Sequence, residues 1–300
     1  MHDFTQLIEI AKDKKLEKRI VVVFPEDESC LYAINQILKE GLTSFIFITK
    51  QDSEEIDKFL QIYPNYTGQI KVFTYEEGAQ RAVQLIREKK ADILMKGMIS
   101  SDILLKAVLN KEKGLVPKGS TLSHIAIAEI PTYHKLLMFM DVAVIPFPTF
   151  EQFIQMIGYA TKLCQKLGII EPRIAMIHCN EKINAKFPHT LAYQKLKKMA
   201  QEKKWGETII DGPMDVKTAC DPLSGETKHI VSSIEGEADV LLFPDILSAN
   251  TFFKTITLFS QAKVAGMAMG ASCPIILSSR GDSGESKYDS IICTLATIDN

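Results

Sequence analysis

Short apolar runs rich in isoleucine and valine alternate with amphipathic helical patterns along most of this 300-residue chain. The first run, residues 19–24, stops at Pro25, and the helical pattern that follows over residues 29–40 stops at Gly41. Strands that are apolar on both faces and separated by helices are typical of a parallel sheet covered on both sides. The sequence therefore predicts an α/β fold, in which ligands bind at the carboxyl ends of the strands.

One segment departs from this alternation. Residues 121–130 and 135–144 are two β-rich runs joined by a short turn at Pro131, which predicts an antiparallel pair. The proline-rich residues 146–148 follow, and we interpret them as a crossover between two α/β lobes. Helices are predicted at residues 4–18, 29–40, 53–61, 76–90, 101–110, 150–167, 185–204, 229–235 and 246–260.

The connection at residues 273–289 carries the clearest functional signal. An apolar run at residues 274–277 is followed by a polar loop and then by a helical pattern. The loop residues that can contact an anion are Ser278, Ser279, Arg280, Gly281, Ser283 and Gly284. The first amides of a helix favour an anion, and an arginine fits phosphate or carboxylate in a bidentate way. Taken alone, however, such a loop is more often a capped turn with a surface arginine.

Two further loops share this polarity. Lys96 and Gly97 follow one predicted strand, and Asn250 and Lys254, one helical turn apart, follow another. Taken singly, each lysine is most often an ordinary solvated side chain. Because all three loops end strands of a predicted parallel sheet, we interpret them together as a site for a phosphate-bearing ligand.

Charge and cysteine usage exclude several classes of protein. The formal net charge is -2, so the chain has no basic surface of the kind that binds nucleic acid. The 6 cysteines are scattered without the paired spacing of zinc sites, and we expect reduced thiols in a cytoplasmic protein. Residues 1–15 mix charged with apolar side chains, so we expect no signal peptide, and no apolar run is long enough for a membrane span. Standard dinucleotide, P-loop and hydrolase motifs do not occur.

An ordered series of short motifs extends over nearly the whole chain. In chain order it comprises Leu94-Met95-Lys96-Gly97, Ala107-Val108-Leu109-Asn110-Lys111-Glu112, Leu122-Ser123-His124, Asp141, Asp211-Gly212-Pro213, Ala238-Asp239-Val240-Leu241, Pro244-Asp245, Asn250 with Lys254, and Pro274 through Arg280. The series resembles the phosphate acetyltransferase and phosphate butyryltransferase family, and it is more similar to the butyryl branch than to the acetyl branch.

This resemblance implies a two-lobed, three-layer α/β/α fold similar to the isocitrate and isopropylmalate dehydrogenases, with mostly parallel sheets and a cleft between the lobes. The first lobe is expected to be discontinuous, residues 1–145 with 274–300, and the second to comprise residues 146–273. The resemblance implies reversible transfer of a short, butyryl-like acyl group between coenzyme A and inorganic phosphate, which gives an acyl phosphate and coenzyme A. It further implies a homodimer that uses coenzyme A as a substrate and needs neither a metal nor another cofactor.

The family's catalytic serine-arginine pair corresponds to Ser279 and Arg280. In the family the arginine holds phosphate, and the serine helps to stabilise the transition state. Acetyl-type members carry, a few residues later, an aspartate that acts as a general base. This chain has Ser286 at that position, so Asp282 and Glu285 are the carboxylates to consider as the base. The residues that we expect to bind substrate are Lys96, Gly97, Ser123, His124, Asn250, Lys254, Ser278, Gly281 and Ser283.

Two alternatives stay open at this point. Lys106 and Ile145 stand where the family usually has an arginine and an asparagine. A second hypothesis is therefore a protein of the same fold that binds acyl-coenzyme A or an acyl phosphate without turning it over. A third hypothesis, a nicotinamide-dependent dehydrogenase on this fold, would need aspartates for a divalent metal, and the sequence contains no obvious cluster of them.

Overall fold

The chain forms two compact units in the computed structural model, which describes residues 1–14, 17–51, 53–62 and 67–299. The first unit contains Phe4–Leu122 and Ala265–Asn300, and the second contains Met1–Asp3 and Ser123–Val264. The boundaries between the predicted lobes lie after residues 145 and 273 instead. The two divisions therefore differ in where they place residues 123–145 and 265–273.

Helices and strands alternate through the first part of the first unit. In chain order they are α1 (Phe4–Lys14), β1 (Arg19–Val23), α2 (Glu28–Lys39), β2 (Ser44–Lys50), α3 (Glu54–Ile62), β3 (Thr67–Val72), α4 (Tyr75–Arg87), β4 (Ile93–Lys96) and α5 (Ser101–Val108). The predicted alternation is confirmed here. The helix predicted over residues 4–18 is described as far as Lys14, and residues 15 and 16 lie outside the described residues.

The second unit continues the chain from residue 123. Its elements are β5 (Ser123–Glu129), β6 (Leu137–Met140), α6 (Phe150–Lys166), β7 (Arg173–Ile177), α7 (Pro188–Gln201), β8 (Ile209–Met214), α8 (Val216–Cys220), α9 (Pro222–Thr227), β9 (Val240–Leu242) and α10 (Ile246–Phe259). The chain then returns to the first unit through β10 (Lys263–Met269), β11 (Ile275–Ile276) and α11 (Gly284–Thr297). No helix within the described ranges combines the length and apolarity that crossing a bilayer requires.

The strands of the first unit follow the order β3-β2-β1-β4-β11-β10. Neighbouring pairs from β3 to β11 are parallel, and β10 is antiparallel to β11. Residues Ile20 to Val23 of β1 are all buried, as expected for a strand covered on both faces. Because β1, β4 and β11 are parallel neighbours, their carboxyl ends lie at one edge, and the loops that follow them meet there.

Short polar side chains fix where the helices at this edge begin. Asp27 caps α2, since its carboxylate accepts a hydrogen bond from the backbone N–H of Cys30 at 2.9 Å. Ser283 caps α11 in the same way, with its hydroxyl accepting from the N–H of Ser286 at 3.2 Å. Behind each cap the buried positions follow helical spacing, and in α2 they are Cys30, Ala33, Ile34, Ile37 and Leu38.

The sheet of the second unit follows the order β5-β6-β9-β7-β8. β5 and β6 are antiparallel, so the predicted antiparallel pair is confirmed, and the remaining neighbours are parallel. Phe139 and Leu241 of this sheet are fully buried in one apolar cluster with Ala175. Because β5 pairs with β6 and β6 pairs with β9, both strands belong to the sheet of this unit.

The helix predicted at residues 229–235 is wrong. The helices in this part of the chain are α8 and α9, capped by the carboxylates of Asp215 and Asp221. His229 and Glu235 have φ values of 55° and 57°, which a right-handed helix does not accommodate. The two aspartates were the better signals for where the helices of this segment begin.

Candidate active site

Lys96 joins two of the predicted polar loops at the carboxyl edge of the first unit. It is the last residue of β4, and its ammonium donates a hydrogen bond to the carbonyl oxygen of Ser278 at 3.1 Å. A longer contact of 3.5 Å reaches the carbonyl oxygen of Gly97. The loop after β4 and the loop after β11 are thereby held against each other.

Gly97 is required at its position by a close approach of two backbones. Its N–H donates to the carbonyl oxygen of Val23 at 3.0 Å, which ties the loop after β4 to the end of β1. A Cβ at residue 97 would lie 2.2 Å from the carbonyl oxygen of Phe24. Since that neighbour is backbone, it cannot rotate away, and any larger residue would displace Lys96.

Hydrogen bonds within the loop after β11 order Ser279 and Arg280. The N–H of Ser279 donates to Oδ2 of Asp282 at 2.7 Å, and the N–H of Asp282 donates back to the carbonyl oxygen of Ser279 at 3.2 Å. The N–H of Gly281 donates to the hydroxyl oxygen of Ser279 at 3.4 Å. Ser279 and Arg280 are both exposed. The loop therefore presents a hydroxyl and a guanidinium to solvent from a closed backbone turn.

The N-terminus of α11 follows this loop directly. A Cβ on Gly284 would lie 2.4 Å from Cδ1 of Tyr32, so a side chain at this position would push the helix away from α2. Glu285 is exposed, and its pKa is lowered by its own backbone N–H and then by the hydroxyls of Ser283 and Tyr32. A lowered pKa makes a carboxylate a weaker general base at neutral pH.

A buried ion pair at this edge involves two residues that the sequence analysis did not single out. The ammonium of Lys287 lies 2.7 Å from Oδ1 of Asp27 and 2.5 Å from the hydroxyl of Ser29. Lys287 is 2% exposed, although it belongs to the first turns of a helix. A single lysine in a helical pattern gives no sign of its burial, whereas the position of Asp27 just after a strand was a usable signal.

The charge of Lys96 has no carboxylate partner among the described residues. Lys96 is 3% exposed, and its printed hydrogen-bond partners are the two carbonyl oxygens named above. Burial, followed by the nearby charges of Arg280 and Lys287, lowers the pKa of Lys96, and Asp282 and Asp27 act in the opposite direction. The hydroxyl of Ser278 beside it is buried with no hydrogen-bond partner in the described part of the chain. A buried cation and a spare hydroxyl together favour an anion.

A second set of predicted residues lies in the second unit, around Asp141. Oδ2 of Asp141 accepts a hydrogen bond from the N–H of His124 at 2.9 Å, and Oδ1 accepts from the N–H groups of Ala143 and Val144, each at 2.8 Å. Asp141 is buried, and burial raises its pKa in spite of these donors. The carboxylate thus fixes the start of β5 against the chain that follows β6.

His124 and its neighbour Ser123 are buried in the second unit. Burial lowers the pKa of His124 to about 4, and its Nδ1 atom has no hydrogen-bond partner among the described residues. His124 is therefore neutral near pH 7. Its burial leaves little of the side chain open to a substrate, and the expected substrate contact stays a prediction.

Asn250 and Lys254 lie on α10, on an exposed side of the second unit. The side-chain amide of Asn250 donates to the carbonyl oxygen of Val142 at 3.0 Å, so it holds the same segment that Asp141 orders. The ammonium of Lys254 lies 4.0 Å from the ring centroid of Phe253. Two of the predicted residues of this unit, His124 and Asn250, are thus connected through Asp141 and Val142.

The placement of the predicted residues is therefore clear within each unit. Lys96 and Gly97 meet the loop that carries Ser278, Ser279, Arg280, Gly281, Asp282 and Ser283. In the described residues, no three His, Cys, Asp or Glu side chains are grouped so that they could hold a metal ion.

Comparison with known proteins decides the family. The sequence model of the phosphate acetyl/butaryl transferase family matches residues 74–295. This chain belongs to that family. The match spans the Lys96 loop, the loop after β11 and most of α11, so the family predicted from the motif series is confirmed.

Individual relatives agree with this assignment. The chain is 32% identical to a phosphate butyryltransferase of Clostridium acetobutylicum over 290 residues, which cover 96% of this chain and 95% of the relative. It superposes on a branched-chain phosphotransacylase from Enterococcus faecalis V583 with a TM-score of 0.82 and 29% identity, covering 93% of this chain and 98% of the other. The predicted enzyme class, a phosphate acyltransferase, is confirmed.

The fold prediction is confirmed as well. A 4-hydroxythreonine-4-phosphate dehydrogenase from Klebsiella pneumoniae matches with a TM-score of 0.50 at 12% identity, over 93% of this chain and 100% of the other. At this identity the match shows the fold alone. The fold of this chain is thus mixed α/β with a mostly parallel sheet, and it is of the dehydrogenase-like kind that the resemblance implies.

Proposed function

We propose that this phosphate acyltransferase transfers a short, butyryl-like acyl group between coenzyme A and inorganic phosphate at the loop of residues 278–283. One observation carries the proposal. Ser279 and Arg280 are exposed at the carboxyl edge of the first sheet, and the buried cation Lys96 is bonded to the residue that precedes them. A guanidinium, a buried ammonium and helix N-terminal amides in one place suit a phosphate ion.

The reaction needs a cation for phosphate and donors for an oxyanion. In the direction of acyl phosphate formation, a phosphate oxygen attacks the thioester carbonyl, the carbon–sulfur bond breaks, and coenzyme A leaves as a thiolate. Arg280 is our candidate for holding the phosphate in a bidentate way. The hydroxyl of Ser279 and the amides that follow it are our candidates for stabilising the tetrahedral oxyanion.

The reverse direction needs the thiol of coenzyme A to lose its proton. A free thiol has a pKa of about 8.5, so only a small fraction is thiolate near neutrality. We propose Asp282 and Glu285 as the candidate bases, since they are the carboxylates nearest in sequence to Ser279 and Arg280. Asp282 already accepts the N–H of Ser279, which places its carboxylate beside the reactive loop. Glu285 is exposed but has a lowered pKa, which weakens it for this role.

The remaining predicted residues form a proposed second contact region for substrate. Asn250 and Lys254 are exposed on one helix of the second unit, one turn apart, and offer an amide and a cation. The phosphates and amides of coenzyme A are groups that such side chains bind. Ser123 and His124 are buried, so we assign them to the support of this region together with Asp141.

The preference for a four- or five-carbon acyl group rests on the relatives. One is named a phosphate butyryltransferase and another a branched-chain phosphotransacylase, and both cover nearly the whole chain. Acyl-coenzyme A thioesters of two to five carbons, linear and branched, should therefore be compared as substrates with phosphate. A higher kcat/KM for acetyl-coenzyme A than for butyryl- and isobutyryl-coenzyme A would contradict the proposed preference.

The experiment for the activity itself mixes coenzyme A with butyryl phosphate and follows thioester absorbance. Thioester formation that depends on both substrates supports the transferase. Binding of coenzyme A in calorimetry without thioester formation from any short acyl phosphate would favour the binding protein instead.

We also propose a homodimer that works in the cytoplasm. All six cysteines are free thiols, which suits a reducing compartment. The homodimer is proposed from the family resemblance. Light scattering at micromolar concentration that gives a mass near 33.6 kDa would contradict it.

A further inference from the structure

We propose that Asp27 and Lys287 are positioning residues of the transfer reaction: their largely buried ion pair anchors the start of α11 and sets the electrostatic surroundings in which Lys96 meets the phosphate. The inference rests on the proposed function of the loop at residues 278–283. It goes beyond that proposal because it assigns a role to two residues outside the loop.

The ion pair links two parts of the first unit that are far apart in sequence. Lys287 lies in the first turns of α11, and its ammonium is 2.7 Å from Oδ1 of Asp27, which caps α2. The hydroxyl of Ser29 lies 2.5 Å from the same ammonium. The start of α11, and with it the loop at residues 278–283, is therefore tied to the loop that follows β1.

Stability alone does not explain this pair. A cation near the N-terminus of a helix opposes the helix macrodipole. A buried ion pair also loses solvation, and apolar residues of similar size often replace such pairs without loss of stability. Lys287 is 2% exposed and so experiences both penalties. A functional use of its charge is the simpler explanation.

The functional use follows from the charges that surround Lys96. The charges that act on the pKa of Lys96 are those of Arg280 and Asp282 in the loop after β11, Lys287 in α11 and Asp27 in the loop after β1. The charge of Lys96 also acts on the thiol of Cys30 on α2. Burial raises the pKa of that thiol, so the thiol stays neutral. Of the four charged groups, Asp27 and Lys287 are the two that lie outside the proposed phosphate-binding loop.

The two members of the pair act on Lys96 in opposite directions. The positive charge of Lys287 lowers the pKa of Lys96, and the negative charge of Asp27 raises it. Removing Asp27 also leaves the charge of Lys287 uncompensated, which lowers the pKa of Lys96 further. Removing Lys287 leaves the charge of Asp27 uncompensated, which raises the pKa of Lys96 further. Each single substitution therefore changes the pH at which Lys96 loses its proton, and the signs differ.

The chemical consequence concerns inorganic phosphate. Lys96 must be charged to attract the anion, so phosphate use declines as the pH rises through the pKa of Lys96. In Asp27→Asn this alkaline decline should begin at a lower pH than in the wild type, and in Lys287→Met at a higher pH. In the double variant the two shifts oppose each other, so its decline should lie between those of the single variants.

The test measures kcat/KM for phosphate with saturating butyryl-coenzyme A from neutral pH into the alkaline range. Ionisation of phosphate is common to all variants and cancels in the comparison. Asparagine is as good a helix cap as aspartate, so Asp27→Asn keeps the start of α2. Asp27→Ser serves as a second variant should Asp27→Asn fail to fold. Lys96→Met identifies which part of the decline belongs to Lys96, because that part is absent in it.

A matched control is the ion pair of Lys135 and Asp239 in the second unit, whose atoms lie 2.8 Å apart and are largely buried. Asp239→Asn and Lys135→Met should lower the unfolding temperature without displacing the alkaline decline. Shifts of opposite sign in Asp27→Asn and Lys287→Met support the proposal. Shifts of the same sign, or no shift beyond that of the control pair, overturn it, because a merely structural pair affects both variants alike.

Calorimetric titration with inorganic phosphate separates this proposal from the activity. Phosphate affinity reports the charge of Lys96 without turnover, so the same opposite shifts are expected in its pH dependence. If the wild type forms no acyl phosphate from butyryl-coenzyme A but the affinities shift in opposite directions, the proposed butyryl transfer fails while the role of the pair in phosphate binding is supported. If the wild type turns over and the affinities do not shift, the role of the pair is overturned.

Discussion

The ammonium of Lys96 donates a hydrogen bond to the carbonyl oxygen of Ser278 across 3.1 Å. This contact connects the end of β4 to the loop after β11, two segments that are 182 positions apart in sequence. It fixes the residue that precedes Ser279 and Arg280, and it leaves the charge of Lys96 without a carboxylate partner among the described residues. The consequences can be tested by substitution.

Arg280→Lys tests whether the guanidinium holds phosphate. The variant keeps a positive charge but loses the bidentate geometry. Loss of a charge-assisted hydrogen bond is worth about 1.5–3 kcal/mol, which corresponds to roughly ten- to hundredfold in kcat/KM for phosphate. The KM for butyryl-coenzyme A should change little. Arg81→Lys, at a partly exposed arginine on α4 outside the loop, is the control. Equal losses for both substrates would contradict a specific phosphate role.

Asp282→Asn and Glu285→Gln test the identity of the base. The variant that removes the base should lose turnover of butyryl phosphate with coenzyme A, and the loss should shrink as the pH approaches the thiol pKa of about 8.5. Asparagine retains an oxygen that can accept the N–H of Ser279, so a loss in Asp282→Asn is not explained by the loop alone.

A third substitution is the control for Asp282→Asn and Glu285→Gln. Glu151→Gln changes an exposed carboxylate in the first turn of α6, the position that Glu285 has in α11. It should leave turnover unchanged. Full activity of both Asp282→Asn and Glu285→Gln across the pH range would rule out both carboxylates as the base, and deprotonation by solvent or by the positive site would take their place.

Gly97→Ala tests the close approach behind Lys96. The added Cβ would lie 2.2 Å from the carbonyl oxygen of Phe24, and forced overpacking of this kind costs typically about 1–3 kcal/mol. We expect a lower unfolding midpoint in denaturant and a weaker use of phosphate, because Lys96 moves with the loop. Gly158→Ala in α6 is the control, since its Cβ meets only an ordinary contact of 3.8 Å with Trp205. A Gly97→Ala variant as stable and active as the wild type would contradict this close approach.

His124 predicts a loss of stability in acid. The pKa of His124 in the folded chain is about 4, below its ordinary value of 6.5. Between these two pH values His124 is protonated in the unfolded chain and neutral in the folded chain. The neutral form of His124 therefore contributes to the free energy of unfolding above about pH 6.5. This contribution is lost as the pH falls toward 4, and the loss is about 3 kcal/mol in total for a pKa shift of this size. Unfolding in urea as a function of pH measures it.

His124→Asn should remove this part of the acid dependence. His229→Asn is the control, since His229 is exposed at a position with a φ of 55°, which asparagine tolerates. The same acid dependence in the wild type and in His124→Asn would show that other groups, and not His124, are responsible.

The sequence by itself determined the alternation of strands and helices, the antiparallel pair of β5 and β6, and the loops that carry polar residues. These features are local, because apolar periodicity and capping residues act within one element. The ordered motifs also determined the family. The helix prediction failed at residues 229–235, because the aspartates that cap the helices of this segment lie earlier in the chain.

Only the tertiary structure decided which of these residues meet. The contact of Lys96 with Ser278 and the ion pair of Asp27 with Lys287 depend on β1, β4 and β11 being parallel neighbours, and strand order is not written in the periodicity of any single strand. Burial decided the rest. In the sequence, Lys287 is indistinguishable from any other lysine of a helix. Its charge acts strongly on neighbouring groups only because packing removes it from water, which would screen its field.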